Sequence, residues 1–105
     1  MKDFIEISEK IEFDWDESNI KKNEIKHKVF FKECEQAFLI NPFITRDLKH
    51  SKNEKRYHCI GITELGEILF ISFTMRNLKV RIISARSADR KEKEIYEKAK
   101  KTSII

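Results

Sequence analysis

The chain has 105 residues, which is enough for one domain built around one hydrophobic core. Hydrophobic residues make up 40% of the chain and charged residues 38%, a composition that excludes a disordered tail and is typical of a folded domain with a charged surface. No apolar run approaches the ~20 residues of a transmembrane helix, and the N-terminus lacks the apolar core of a signal peptide. We therefore expect a cytoplasmic protein with no membrane partner.

Cysteine spacing and charge narrow the possible classes further. Cys34 and Cys59 stand far apart, with no histidine at zinc-finger spacing, so we expect reduced, buried thiols and no metal or cofactor.

The net charge of +4 is unevenly distributed: residues 1–17 carry two lysines against seven carboxylates, and residues 76–101 carry ten Lys or Arg against four carboxylates. The basic end would attract a polyanion such as RNA, and the acidic end could equally shield it.

The first part of the chain predicts a short strand followed by a helix. Polar and aromatic residues alternate from Glu12 to Trp15, which favours a strand. Apolar residues that could prolong it backward are Phe4, Ile5, Ile7 and Ile11. The first helix is expected from about Glu17 to Lys26, with Asp16 or Ser18 as its N-cap.

A second helix and a sheet should follow. Four residues at helical spacing mark the helix, which the Asn41-Pro42 pair ends: Phe30, Cys34, Ala37 and Phe38. Period-two patterns then predict four strands, over Phe43 to Asp47, Lys55 to Thr63, Ile68 to Arg76 and Lys79 to Ser87. Turns at residues 64–67 and 76–78 favour an antiparallel meander. A third helix is expected over about Ala88 to Lys100, with Ser87 as its N-cap. The fold class is therefore α+β.

The last strand carries the most suggestive pattern. If the chain is extended there, Leu78, Val80 and Ile82 share one face, with Arg76 and Arg86 at its two ends. Guanidinium groups match the geometry of phosphates, so these arginines could hold a nucleic-acid backbone. The alternative is an exposed strand on which the arginines serve solubility. Ser72, Thr74 and Arg76 should also share a face, which could continue near Ser84 and Arg86.

Several short motifs together resemble one known family. In chain order they are Phe13-Asp14-Trp15-Asp16-Glu17, Asn23 with Lys26-His27, Phe31 and Glu33, Asp47 and His50, Glu54-Lys55-Arg56-Tyr57, Ile60-Gly61, Thr74-Met75-Arg76, and Arg81 to Arg86 with Tyr96 beyond. Their order and spacing are similar to those of the BrnT family of ribonuclease toxins, from about Glu12 to Tyr96. The chain departs from the pattern at Lys28, where the family usually has glycine, and at Lys55, which separates Glu54 from Arg56.

The resemblance implies a RelE-like fold, in which two helices pack on an antiparallel sheet. It also implies a toxin of a bacterial type II toxin-antitoxin system that cleaves RNA and arrests translation. A BrnA-type antitoxin would neutralise it, and operator DNA would be bound only by the toxin-antitoxin complex. We expect one domain over residues 1–105, with residues 1–11 as an N-terminal extension and residues 12–100 as the toxin domain.

Metal-independent cleavage of RNA by its own 2′-hydroxyl requires a proton acceptor, a proton donor and cations around the phosphate. We expect His27 to be the acid or base, because imidazole titrates near pH ~6.5, although a histidine there could merely favour the helix dipole. Glu54 is the candidate carboxylate base, held ionised by Arg56, although it could form only a surface ion pair. His50 and His58 are weaker candidates.

The remaining candidates would bind RNA. Arg56, Arg76 and Arg86 are the expected phosphate clamps, with Ser84 nearby. Lys26 and Lys91 would contribute charge, and Tyr96 could stack on a base or simply pack. Trp15 and Phe13 could belong to a partner surface, although core packing is the alternative. A rival interpretation from another class is a non-catalytic nucleic-acid-binding regulator or a partner-binding module, held to RNA by charge alone.

Overall fold

The computed structural model describes residues 11–21 and 28–103. Helix α1 begins at residue 17 and is described through residue 21. It is followed by α2 (Phe31–Ile40), β1 (Phe43–Asp47), β2 (Arg56–Ile62), β3 (Ile68–Arg76), β4 (Lys79–Ser87) and α3 (Arg90–Ser103). The strands form one antiparallel sheet in the order β1-β2-β3-β4, so the predicted α+β meander is confirmed. Within the described ranges, no helix is long and apolar enough to cross a membrane.

The strand bounds follow the period-two pattern closely. β1, β3 and β4 have the predicted bounds, and β2 is one residue shorter than predicted at each end. Just before β2, the Lys55 carbonyl accepts a hydrogen bond from the Thr74 hydroxyl, at 2.7 Å. Just after β2, the Thr63 amide donates a hydrogen bond to the Glu67 carbonyl across a turn that contains Gly66 at φ +89°. Both flanking residues are therefore held by local contacts outside the strand ladder.

Helix α2 supplies the second layer of the core. Its buried residues Cys34, Ala37 and Phe38 lie against one face of the sheet. The rings of Phe38 and Phe73 meet edge to face with centroids 4.9 Å apart. Burial raises the pKa of the Cys34 thiol to about 12 and also raises the pKa of Cys59, so both remain protonated at neutral pH. The expectation of buried, free thiols is confirmed.

The segment before α1 is attached to the edge of the sheet, but it does not form the predicted strand. Phe13 makes a single parallel bridge to Val80, closed by two backbone hydrogen bonds of 2.8 Å. The possible backward extension over Phe4, Ile5 and Ile7 lies outside the described residues. Trp15 packs against the core, and its indole N–H donates to Glu35 at 2.9 Å, so the core-packing alternative is confirmed.

An ion pair and a cap fix this segment and the start of α1. Asp16 is the N-cap, because its carboxylate accepts the Asn19 amide at 2.9 Å while the Asn19 side chain accepts the Asp16 amide at 2.8 Å. Arg81 on β4 donates to Asp16 at 2.8 Å. The hydrogen bond from the Asn19 backbone and the one from Arg81 lower the pKa of Asp16. The predicted end of α1 at Lys26 lies outside the described residues.

A β-bulge in β4 changes which side chains face the core. Ser72 pairs with Ser84 but Phe73 pairs with Ile82, so Ile83 is an extra residue. Val80 and Ile82 before the bulge are buried, and beyond it Ala85 is the residue that enters the core. The expectation that Leu78, Val80 and Ile82 share a face with Arg76 and Arg86 was therefore wrong. Leu78 lies in the β3–β4 turn, 86% exposed, and Arg76 ends the neighbouring strand.

Helix α3 starts two residues later than predicted, because Asp89 rather than Ser87 is its cap. The Asp89 carboxylate accepts the Glu92 amide at 2.8 Å and the Glu92 carboxylate accepts the Asp89 amide at 2.9 Å. The Ser87 hydroxyl donates to Glu67 instead. Farther along α3, Tyr96 is 5% exposed and its hydroxyl donates to the Asn41 carbonyl at 2.7 Å. This contact connects α3 to the chain between α2 and β1.

We predict that Gly61→Ala lowers the free energy of unfolding by about 3 kcal/mol, at the upper end of overpacking costs. A Cβ at Gly61 would overlap the backbone oxygen of Ala37, and neither β2 nor α2 can move without opening the core. Gly66→Ala is the matched control: its Cβ meets nothing, and only the positive φ costs about 1 kcal/mol. Urea unfolding measures both values. Equal losses would contradict close packing of α2 on β2.

Candidate active site

The sheet face opposite α2, termed the distal face, carries four of the sequence-predicted site residues: Arg56, Arg76, Ser84 and Arg86. Strand pairing places its side chains in three rows across the sheet. The central row is Thr45, His58, Ser72 and Ser84. The rows on either side are Asp47, Arg56, Thr74 and Arg81, and then Phe43, Ile60, Phe70 and Arg86. Arg76 ends β3 on the same face, so the expected grouping of Ser72, Thr74 and Arg76 with Ser84 and Arg86 matches the pairing.

Asp47 lies at the centre of the polar contacts on this face. It is the last residue of β1 and is only 7% exposed. One carboxylate oxygen, Oδ2, lies 2.9 Å from Nδ1 of His50 and 3.1 Å from Nε2 of His58. The other oxygen accepts the His50 amide at 3.2 Å. A single buried carboxylate therefore orients two imidazoles, with a ring N–H of each directed toward it.

The pKa of Asp47 reflects these contacts. Burial alone would raise it, because a carboxylate loses hydration in the sheet. The hydrogen bonds from the His50 side chain and backbone, together with the charges of His58 and His50, outweigh burial, so the pKa lies below its usual value. Asp47 is consequently ionised at neutral pH and can stabilise a protonated ring beside it.

His50 lines a cavity of about 360 Å³ at the end of the sheet, which we term the cationic cavity. Its lining is His50, Lys52, Asn53, Glu54, Arg56 and Arg76. Arg76 lies 3.3 Å from Glu54, so the partner of Glu54 is Arg76 and not the expected Arg56. No carboxylate of the described residues lies within ion-pair distance of Arg56. The cavity thus holds three permanent cations and one carboxylate, a balance that favours an anion.

His58 lines a second cavity, of about 490 Å³, between the sheet and the start of α3, which we term the aromatic cavity. Its lining is Phe43, Thr45, His58, Ile60, Phe70, Asp89, Lys91, Glu92 and Ile95. The predicted RNA-binding residue Lys91 lies here. Because His50 and His58 both bind to Asp47, the Asp47 carboxylate joins the two cavities.

Arg86 is held by the fold at the edge of the aromatic cavity. Its guanidinium donates two hydrogen bonds of 2.8 Å to Glu92 and lies 4.6 Å from the centre of the Phe70 ring. The hydrogen bond to Glu92 raises the pKa of Arg86. This arginine fastens α3 to β4 and keeps a positive charge beside Ser84.

Seven of the nine predicted site residues are described, and six of these form two groups. Glu54, Arg56 and Arg76 meet in the cationic cavity, and Ser84, Arg86 and Lys91 lie along the distal face toward α3. The ring of Tyr96 is buried and its hydroxyl is engaged, an arrangement that favours packing over stacking on a base. His27 and Lys26 lie outside the described residues, so their roles stay predictions.

Sequence reasoning ranked His58 low and gave Asp47 no chemical role. Strand alternation contained a usable signal, because Thr45 and Asp47 share a face of β1 while Arg56 and His58 share a face of β2. Only the register of these two strands, which pairs Asp47 with Arg56, shows that His58 lies diagonally opposite the carboxylate. Among the described residues, no group of three or more His, Cys, Asp or Glu could hold a metal ion.

A model of the family described as "Ribonuclease toxin, BrnT, of type II toxin-antitoxin system" matches residues 15–92, well over half of the chain. The chain belongs to the BrnT family. No curated protein matches it. The BrnT match spans all four strands and ends at Glu92, the partner of Arg86, so it contains the whole distal face. As a BrnT toxin, the protein has RNA as its class of substrate and an antitoxin as its partner.

The pH dependence of stability should report on Asp47. A carboxylate with a lowered pKa in the folded state stabilises that state above its unfolded pKa, here near 3.8, and this contribution disappears as the pH falls through the folded pKa. We therefore expect Asp47→Asn to be less stable than the wild type at pH 7 and to lose less stability on acidification. Urea unfolding from pH 7 to about pH 2, a range that extends well below the unfolded pKa of 3.8, measures the difference.

Glu97→Gln is the control for this experiment, because it removes one exposed carboxylate from α3 without touching the distal face. Its stability should follow the wild-type pH curve. If Asp47→Asn did so as well, the hydrogen bonds from His50 and His58 would contribute nothing to the folded state.

Proposed function

We propose that this BrnT toxin is a metal-independent endoribonuclease that arrests translation. The 2′-hydroxyl of the substrate attacks the adjacent phosphate, leaving a 2′,3′-cyclic phosphate and a free 5′-hydroxyl. The observation that carries this proposal is the Asp47 carboxylate bound to two imidazoles at the junction of a cationic and an aromatic cavity. Such an arrangement supplies proton transfer and phosphate charge stabilisation from side chains alone.

Proton transfer is assigned to His50 and His58. Both rings bind to the same oxygen of Asp47, so their bonded nitrogens lie no farther apart than the sum of the two distances, 6.0 Å. Asp47 engages Nδ1 of His50 and Nε2 of His58, which leaves the opposite nitrogen of each ring to meet the substrate. An imidazole nitrogen can either accept or donate a proton, so one ring can act as base and the other as acid.

Phosphate binding is assigned to the cationic cavity. Arg56 has a guanidinium that is not committed to a carboxylate of the described chain, and its planar fork can make two parallel hydrogen bonds to phosphate oxygens. Arg76 adds a second guanidinium to this cavity, where it is paired with Glu54. Glu54 is the remaining candidate base. The guanidinium of Arg86 is hydrogen-bonded to Glu92, so it contributes to phosphate binding mainly through its positive charge and by holding α3 against β4.

The finer biology is also proposed on the family resemblance. The antitoxin would be of the BrnA type, and the toxin-antitoxin complex would bind operator DNA. The fold would be RelE-like, with the toxin domain over residues 12–100 following an extension of residues 1–11. A basic cavity that binds an RNA phosphate also suits an acidic segment of an inhibitor, which supports neutralisation by direct occlusion.

Incubation of the purified toxin with RNA and excess chelator tests the mechanism. We expect cleavage to persist, because every group that the reaction needs belongs to the chain, and we expect ends that carry a cyclic phosphate. Mass spectrometry of the products identifies these ends. An RNA with a single 2′-deoxy nucleotide at the cleaved position is the control and should resist cleavage there. Activity that returned only with a divalent metal would reject the mechanism.

His58→Asn and Arg56→Ala should each lower kcat about a hundredfold, the lower range for losing a proton-transfer group or a stabilising cation. Arg46→Ala is the matched control for Arg56→Ala, because it removes the same charge from the neighbouring strand on the opposite face of the sheet. It should cleave RNA like the wild type. Equal activity of Arg56→Ala and Arg46→Ala would remove the distal face from the reaction.

A further inference from the structure

The aromatic cavity is shaped for a flat, mostly apolar group. Its volume of about 490 Å³ lies in the range of small-molecule sites. Phe43, Ile60 and Phe70 are cross-strand neighbours and form its floor. Ile95 of α3, 41% exposed, forms the opposite wall. The cavity is therefore a slot between a strand surface and a helix.

The two phenylalanines of the slot differ in their ring contacts with other described residues. Phe70 is engaged on its surface, by Arg86 at 4.6 Å and by the His58 ring at 4.7 Å. Phe43, in contrast, has no ring partner among the described residues, although it is half-buried at the start of β1. Its ring is available for stacking with a ligand.

The rim of the slot offers hydrogen-bonding groups. Thr45 provides a hydroxyl, Asp89 a carboxylate and Lys91 an ammonium group. Glu92 is less available, because its oxygens already accept from Arg86 and from the Asp89 amide. An apolar floor with donors and acceptors at its edge is the arrangement by which proteins read the edges of unpaired bases.

The slot also lies next to the residues to which proton transfer and phosphate binding are assigned. The row of Phe43, Ile60 and Phe70 lies two residues, roughly 7 Å, from the row that contains His58. A base in the slot would therefore leave its sugar over His58 and the next phosphate toward Arg56. We infer that the aromatic cavity binds one unpaired nucleobase of the RNA, next to the phosphate that is cleaved. This inference rests on the proposed ribonuclease function.

Two variants test the slot from opposite sides. Ile95→Trp fills it from α3 at a partly exposed position, and Phe43→Ala removes the stacking ring. The probes are 2′-deoxy dinucleotides with each of the four bases, which lack the attacking hydroxyl and so bind without being cleaved. We expect both variants to bind them roughly tenfold more weakly, as loss of one stacked base implies. With RNA as substrate, both variants should show a roughly tenfold higher KM and little change in kcat. Any preference for one of the four bases should become weaker.

Leu65→Trp is the control, because Leu65 is 93% exposed in the β2–β3 turn and does not line the slot. It should behave as the wild type, and thermal melts should show all three variants folded. Unchanged KM and base preference in both slot variants would overturn the inference while the ribonuclease function stood. If Ile95→Trp instead weakened only neutralisation by the antitoxin, the slot would be a protein interface and the inference would also fail. A third outcome would separate the two proposals. If the wild type bound the dinucleotides but cleaved no RNA, and Ile95→Trp abolished that binding, the base slot would stand and the proposed ribonuclease function would be refuted.

Discussion

The extra residue in β4 is the constraint on which both faces of the sheet depend. Side chains alternate along a strand, so one inserted residue exchanges the two faces for everything that follows. With Ile83 as the insertion, Ile82 and Ala85 both complete the core beneath α2. The same exchange directs Ser84 and Arg86 to the distal face, next to Ser72 and Phe70. Without the bulge, strict alternation would place Ser84 and Arg86 on the core face with Val80 and Ile82.

The buried Asp47 carboxylate plays a comparable part at the other edge of the sheet. A buried charge is costly unless it is paired and hydrogen-bonded, and here two imidazoles and a backbone amide satisfy it. These contacts fix the turn after β1 to the middle of β2. The Asp47 carboxylate thereby orients both His50 and His58, so the positions of the two rings follow from the fold.

The arginines of the sheet serve different purposes despite their similar appearance in the sequence. Arg81 holds Asp16 and thereby the start of α1, and Arg86 holds Glu92 and thereby α3. Arg76 is paired with Glu54 at an exposed position, where such a pair contributes little. Arg56 alone among these four has no carboxylate partner in the described part of the chain. The ion pairs of Arg81 and Arg86 therefore connect elements of the fold, whereas the guanidinium of Arg56 remains open to an anion in the cationic cavity.

The sequence by itself determined the α+β class, the bounds of three strands, the position of α2 and the family. These depend on periodicity, on proline and on turn residues, which act over a few positions along the chain. It could not determine the bulge at Ile83, the pairing of Glu54 with Arg76, or the use of Asp89 as a cap. Each of these is a choice among local alternatives that only packing against another element decides. The convergence of Asp47, His50 and His58 was likewise decided by tertiary structure, because it requires the register of β1 on β2, a relation between residues that are distant along the chain.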